Sequence, residues 1–143
     1  MTDRHATFLV CDDVLIGLNG KIYIHGIYTQ DLIIPTDEQA LGQLVIFVLA
    51  ETPIGKPFRV FKIQIQFPGE SEPRIIDALP MALAMPPSAN PDRTVIKVRT
   101  PVMIPQPTLR PGAIEISIIH EEGTLLVGKQ WVQSMAAATA SKH

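Results

Sequence analysis

The sequence predicts an all-β protein, an antiparallel β-sandwich of about eight strands with at most one short helix. Three observations carry that expectation. Two apolar runs between Phe8 and Tyr28 are joined by Leu18-Asn19-Gly20-Lys21, and Asn-Gly between β-rich segments is the strongest short-range hairpin signal. Thirteen prolines and nine glycines cut the 143 residues into short segments and leave little room for long helices. Phe61, Ile63, Ile65 and Phe67 alternate with Val60, Lys62, Gln64 and Gln66, the pattern of a strand with one wet face.

Taken along the chain, residues 7–16 and 21–29 form the first hairpin. Residues 32–35 read as a short edge strand, where Pro35 removes no ladder hydrogen bond. Thr36-Asp37-Glu38-Gln39-Ala40-Leu41-Gly42 offers an N-cap, acidic residues in the first turn and a glycine stop, which predicts one or two turns of helix. Residues 44–50 are continuously apolar, as in a strand covered on both faces. Their link to the alternating strand at Phe61 passes through Thr52-Pro53-Ile54-Gly55-Lys56-Pro57. It is too short for a crossover, so these two strands are expected to pair antiparallel. Residues 94–103 form a strand that runs into the proline-rich stretch from Pro101 to Pro111. A closing hairpin pairs residues 113–120 with 125–132 across Glu121-Glu122-Gly123-Thr124. No segment recurs at a fixed period, which removes propellers and solenoids.

The length is that of one domain, residues 1–143, which buries roughly two thirds of the surface its unfolded chain exposes. Its β core is expected over 7–132, interrupted by a proline-rich connection over 78–93 and followed by an alanine-rich tail over 133–143. The composition is 46% hydrophobic and 18% charged, against about 25% charged in an ordinary globular domain, so apolar surface is left over for a partner. A net charge of -2, from 14 acidic and 12 basic residues, and the absence of a Lys/Arg stripe argue against nucleic acid. Cys11 is the only cysteine, so no intrachain disulfide forms and a reducing compartment fits. Residues 1–5 lead into a β-pattern without a cleavable apolar region. The cytoplasm or a virion is therefore expected rather than signal-peptide secretion. The longest apolar run, over 44–50, is far shorter than the about 20 residues of a membrane helix.

Candidate chemistry is sparse. Cys11, Asp12 and Asp13 with His25 and His120 assemble on paper into a nucleophilic site. Adjacent strand residues point to opposite faces, however, so Asp12 and Asp13 do not act as a paired acid and base, and one of them is expected to cap a turn or bulge. Cys11 sits in the run Phe8-Leu9-Val10-Cys11, the setting of a buried small hydrophobe. His5, His25, His120 and His143 lie far apart, without a partner at zinc-ligand spacing. Glu70, Glu72, Glu121 and Glu122 read as solvated turn acids, with weak Ca²⁺ binding the alternative. Gly17, Gly20, Gly26, Gly55 and Gly69 make no phosphate loop opening a helix. Lys56 and Arg59 flank Pro57 and read as an exposed end. No catalytic residue, metal or cofactor is expected.

Two stretches depart from the strand pattern. From Ala78 to Pro91 the connection is apolar where loops are usually polar, and Pro86, Pro87 and Pro91 block helix and ladder alike. It reads either as a flap over one open end of the sandwich or as an interface loop with Met81, Leu83 and Met85 as adaptable contacts. The tail, which contains Met135, lacks an apolar period and reads as frayed or as a second contact. Trp131, the single tryptophan, is either a core or sheet-edge residue or an interface anchor.

The string Leu9-Val10-Cys11-Asp12-Asp13-Val14, with Asn19-Gly20-Lys21-Ile22 and Ile24-His25-Gly26-Ile27-Tyr28, resembles the opening of an uncharacterised bacterial and phage-associated family. That family pairs a Cys-Asp-Asp strand with a Gly-Lys turn and a Gly-Ile-Tyr strand end, and has no assigned activity. The resemblance implies a β-sandwich reminiscent of C2 or immunoglobulin-like domains and transfers no catalytic residues. Three function classes are expected in descending order. The first is a non-catalytic interaction module, an accessory subunit of a large assembly such as a phage particle, with homo-oligomeric or multi-subunit protein partners. The second is a C2-like module for a small molecule, ion or lipid headgroup, and the third a small enzyme using Cys11.

Overall fold

Short runs of alternating or continuous apolar residues, punctuated by proline and glycine, fold into thirteen strands among the described residues. The computed structural model describes residues 3–79, 83–84 and 92–135. In chain order the strands are β1 (His5–Cys11), β2 (Asp13–Ile16), β3 (Ile22–His25), β4 (Leu32–Ile34), β5 (Gln39–Ala40), β6 (Gln43–Pro53) and β7 (Phe61–Gln66). They continue with β8 (Arg74–Asp77), β9 (Leu83–Ala84), β10 (Val95–Pro105), β11 (Thr108–Leu109), β12 (Gly112–His120) and β13 (Gly123–Ser134). A four-stranded sheet has the order β1-β6-β10-β9, and a five-stranded sheet the order β4-β13-β12-β7-β8. Two small ribbons, β2-β3 and β11-β5, complete the fold. All the ladders are antiparallel except β4 against β13.

The core follows from strand periodicity. Val10, Leu44, Ile46, Val48, Ala50, Val98, Val102 and Ile104 of the four-stranded sheet join Phe61, Ile63, Ile65, Ile114, Ile116, Ile118 and Val132 of the five-stranded sheet in one apolar cluster. On β6, Val45 and Phe47 are buried as well although they point to the opposite face, so residues 44–48 are enclosed on both sides, as the continuous apolar run requires. On β7, Lys62, Gln64 and Gln66 face outward between buried Phe61, Ile63 and Ile65.

That difference corrects one expectation. β6 and β7 do not pair: β6 lies between β1 and β10, and β7 between β12 and β8. A strand enclosed on both faces and a strand with one wet face belong to different sheets, and residues 54–60 carry the chain between them. The two meet through side chains in the core instead of through a ladder.

A second correction concerns the expected helix over 36–42. Thr36 Oγ1 donates to the Glu38 carbonyl at 2.7 Å, an internal bond that competes with helix formation. The backbone of the segment then pairs with the proline-rich stretch: β5 pairs with β11, Leu41 N–H donates to Pro107 O at 2.9 Å, and Gln106 N–H donates to Gly42 O at 3.0 Å. Tertiary pairing overrides a weak local propensity.

The first hairpin is split. β1 pairs with β6, and only β2 and β3 pair with each other. Gly17 N–H to Lys21 O at 2.7 Å and Gly20 N–H to Gly17 O at 3.1 Å close the Asn19-Gly20 turn. β4 is an edge strand, as expected of residues 32–35, and the β12-β13 hairpin closes across Glu121-Glu122. Pro101 is tolerated inside β10 because β9 covers only Val98 and Arg99, leaving the β10 edge beyond them without a described partner strand.

The two large sheets meet where β1 packs against β13. The register of β12 against β13 slips between Ile116 and Ser117, leaving Val127 as the extra residue of a bulge. Next to it, a Cβ on Gly128 would stand 2.6 Å from Phe8 Cε1, so glycine there lets the β1 ring lie directly on the β13 backbone.

Candidate functional site

Strand alternation puts Arg4 in phase with Ala6, Phe8 and Val10, on the core side of the chain entering β1, where it is only 4% exposed. A buried guanidinium needs partners, and Arg4 has them at the end of the fold where β12 turns into β13. Its Nε donates to Thr52 Oγ1 at 2.9 Å, and Nη1 donates to His120 Nδ1 at 2.8 Å and Glu121 Oε2 at 2.7 Å. Nη2 donates to Glu121 Oε1 at 3.2 Å and to the Lys56 carbonyl at 3.1 Å. The guanidinium also stacks over Phe58, 4.4 Å from the ring centroid. The paired contacts to Glu121 give the fork geometry that makes Arg–carboxylate bonds strong.

The carboxylate records this. The Arg4 hydrogen bonds hold the Glu121 carboxyl far below its ordinary value of 4.5, at about 2, with the Arg59 backbone N–H at 2.7 Å acting in the same direction. The Lys56 ammonium lowers exposed Glu122 in the same way, across 3.1 Å. His120 Nδ1 accepts from both Arg4 and the Glu122 backbone N–H at 3.2 Å, so its ring carries the proton on Nε2. Glu121 is thus an ion-pair partner of a buried arginine rather than a solvated turn acid. The cluster ties the start of β1, the link over 54–60 and the β12-β13 turn together. A shallow cleft of about 190 Å³ beside it is lined by Lys56, Arg59 and Glu122 among others.

The candidate nucleophile is placed otherwise. Cys11 is buried at the opposite end of β1, about 20 Å along the strand from this cluster. Burial first, and then the Asp12 charge, push its thiol up. His25 sits opposite Asp13 in the β2-β3 ribbon, and His120 belongs to the Arg4 cluster. Asp12 and Asp13 also part company. Tyr28 Oη donates to Asp12 Oδ1 at 2.7 Å, whereas Asp13 Oδ1 accepts from the Val14 N–H at 2.9 Å and from Gln43 Nε2 at 3.3 Å. Among the described residues no group of three or more His, Cys, Asp or Glu side chains is gathered to hold a metal ion. No described helix is long and apolar enough to cross a membrane.

The β2-β3 ribbon exposes a run of apolar residues. Neither strand pairs with a third, and Leu15, Ile16, Leu18, Tyr23 and Ile27 present large apolar side chains to solvent on and beside it. Its base is fixed. The Asp12 N–H donates to His25 O at 3.0 Å and Gly26 O at 3.2 Å, and the Tyr28 N–H donates to Val10 O at 2.8 Å. Gly26, with φ of +68°, leaves the space that the Asp12 carboxylate fills.

Of the sequence-predicted contact residues, Trp131 is 52% exposed on the outer face of β13, opposite Ala113 of β12 and one residue before the β4 ladder begins at Val132. Met135, just beyond β13, is 54% exposed. Met81 and Met85 lie outside the described residues, as do 80–82 and 85–91 of the connection and 136–143 of the tail; Leu83 is described only as a backbone position in β9. A further cavity of about 340 Å³ opens on the outer face of the four-stranded sheet, lined by His5, Thr7, Leu49, Glu51, Lys97 and Arg99 among others.

Sequence reasoning missed Arg4 and the cavity. The signal for Arg4 was its phase with Ala6, Phe8 and Val10, which extends the first apolar face one charged residue further toward the N-terminus. The cavity is built from three strands far apart in sequence and had no local signature. The chain matches no protein-family model, and no curated protein is significantly similar to it.

Proposed function

We propose that this chain is a non-catalytic protein-binding module that associates with further copies of itself through the β2-β3 ribbon, as an accessory subunit of a larger assembly. The single observation that carries the reading is the concentration of Leu15, Ile16, Leu18, Tyr23 and Ile27 on a ribbon whose outer strand edges are unpaired. Contiguous exposed apolar surface marks protein interfaces, and a free strand edge is a template for pairing with another chain. A second copy suits it because a two-stranded ribbon laid against its own symmetry mate is self-complementary, Leu15 and Tyr23 sharing one face and Ile16 lying on the other. Trp131 on β13 and Met135 just beyond it, both exposed, supply a second contact for a multi-subunit array.

Buried Cys11, with its thiol pushed up, supports the non-catalytic part of the reading. The two large sheets enclosing one core support a sandwich as the scaffold, of C2-like or immunoglobulin-like kind. The resemblance of the first hairpin to a phage-associated family favours a virion, as a decoration or adaptor subunit, as the assembly concerned. Sedimentation of the purified full chain across a concentration series tests the reading: a mass that rises with concentration above 15.7 kDa supports it, and a fixed monomer opposes it.

A further inference from the structure

Six side chains around the cavity on the four-stranded sheet are placed by register. Lys97, Glu51 and His5 form one rung across β10, β6 and β1, and Arg99, Leu49 and Thr7 form the next rung on the same face. The two rungs lie two residues, about 7 Å, apart. In the first, Lys97 and Glu51 stand directly opposite one another without an ion pair among the described residues. In the second, Arg99 faces a leucine and a threonine and has no acid in its rung.

The described arginines divide by partner and burial, and Arg59, like Arg99, makes no ion pair among the described residues but is exposed. Arg4, Arg74 and Arg110 are each held by a carboxylate, Glu121 at 2.7 Å, Glu70 at 2.8 Å and Glu38 at 2.7 Å. Arg99 is half-buried at the wall of a cavity, makes no ion pair among the described residues, and is not among those with a further interaction. Thr7 likewise contributes a hydroxyl that no described side chain uses. The cavity volume, about 340 Å³, falls in the range of small-molecule pockets.

We propose that this cavity binds a small oxyanion, a carboxylate or a phosphate, with Arg99 as its bidentate partner, the Thr7 hydroxyl as a second donor and Leu49 as an apolar floor. Arg99 supplies the fork that matches two anionic oxygens. Glu51, one rung away, is a repulsive element that limits affinity and disfavours multiply charged ligands. The site is distinct from the β2-β3 ribbon and does not depend on self-association.

The test is an amide-resolved NMR titration of the full chain with sodium phosphate and, separately, sodium butyrate, each against sodium chloride at matched ionic strength. Saturable shifts at Thr7, Leu49 and Arg99 are expected with at least one probe and not with chloride; phosphate alone identifies a phosphate site, and butyrate alone a carboxylate site. Arg99→Gln weakens binding by about tenfold or more, the value of a charged hydrogen bond. Arg99→Lys, which keeps the charge, loses only part of the affinity, and it also reports if the glutamine variant fails to fold. Glu51→Gln strengthens binding, a change of opposite sign that a merely structural role for the rung does not produce. Shifts no different from those in chloride, or affinity unchanged in the folded Arg99 variants, overturn the proposal.

Discussion

Tyr28 Oη and Asp12 Oδ1 lie 2.7 Å apart, closing the base of the apolar β2-β3 ribbon over Gly26. The bond pushes the Tyr28 hydroxyl up from 10.0 to about 12, because losing the proton forfeits the hydrogen bond and sets two negative charges together. The folded state therefore holds the proton more tightly than the unfolded chain. Its contribution to stability is complete below pH 10 and is lost as pH rises toward 12. Tyr28→Phe is expected to lower stability by about 1 kcal/mol and to remove that alkaline component. Amide exchange should quicken at Asp12–Tyr28 more than in β7 or β12. Equal protection in both proteins would mean that the bond does not hold the ribbon.

Glu121 gives the opposite pH dependence. Its carboxyl is held at about 2 against 4.5, so the stability it contributes is present above 4.5 and is lost as pH falls toward 2. Glu121→Gln removes the forked partner of Arg4 and leaves it Glu122, 3.4 Å from Nη1, so it is expected to cost about 1–3 kcal/mol, the value of hydrogen bonds to a charged group. Denaturant unfolding at pH 7 and pH 3 checks both points: the variant should be the weaker at pH 7, and the gap should narrow at pH 3.

Thr100 is the opposite case, a polar side chain that the core does not satisfy. Its Oγ1 is the buried side-chain atom without a hydrogen-bond partner among the described residues. Thr100→Val removes the stranded hydroxyl at nearly constant shape and is expected to raise stability by about 1 kcal/mol, measured by thermal or urea unfolding. A loss of stability would show that the hydroxyl has a partner, such as a bound water.

The strand elements were legible where one residue's neighbours decide its environment. Alternation over Phe61–Phe67, the continuous apolar run over 44–50, and Asn19-Gly20 each placed a strand or turn, because burial on one or both faces leaves a local pattern. What decides which sheet a strand joins is not local, and the length of the 54–60 link misled: it suggested a hairpin where the chain crosses the core. The 36–42 segment carried a real helix signal that pairing with the 105–109 stretch overrode. Glu121 looked like a turn acid because its partner Arg4 lies 117 residues away. Cys11 was readable as buried because it closes the apolar run Phe8-Leu9-Val10-Cys11, whereas Arg99 became visible only once register set it beside Leu49 and Thr7.

The most direct measurement is the solution mass of the chain by light scattering, compared with a variant carrying Leu15→Ser, Ile16→Ser and Leu18→Ser. These side chains are exposed and contribute little to the core, so the variant is expected to keep the wild-type unfolding midpoint. The wild-type chain is expected to form a defined oligomer and the variant a 15.7 kDa monomer. A wild-type monomer, or an oligomer that the three substitutions leave intact, would contradict self-association through the ribbon.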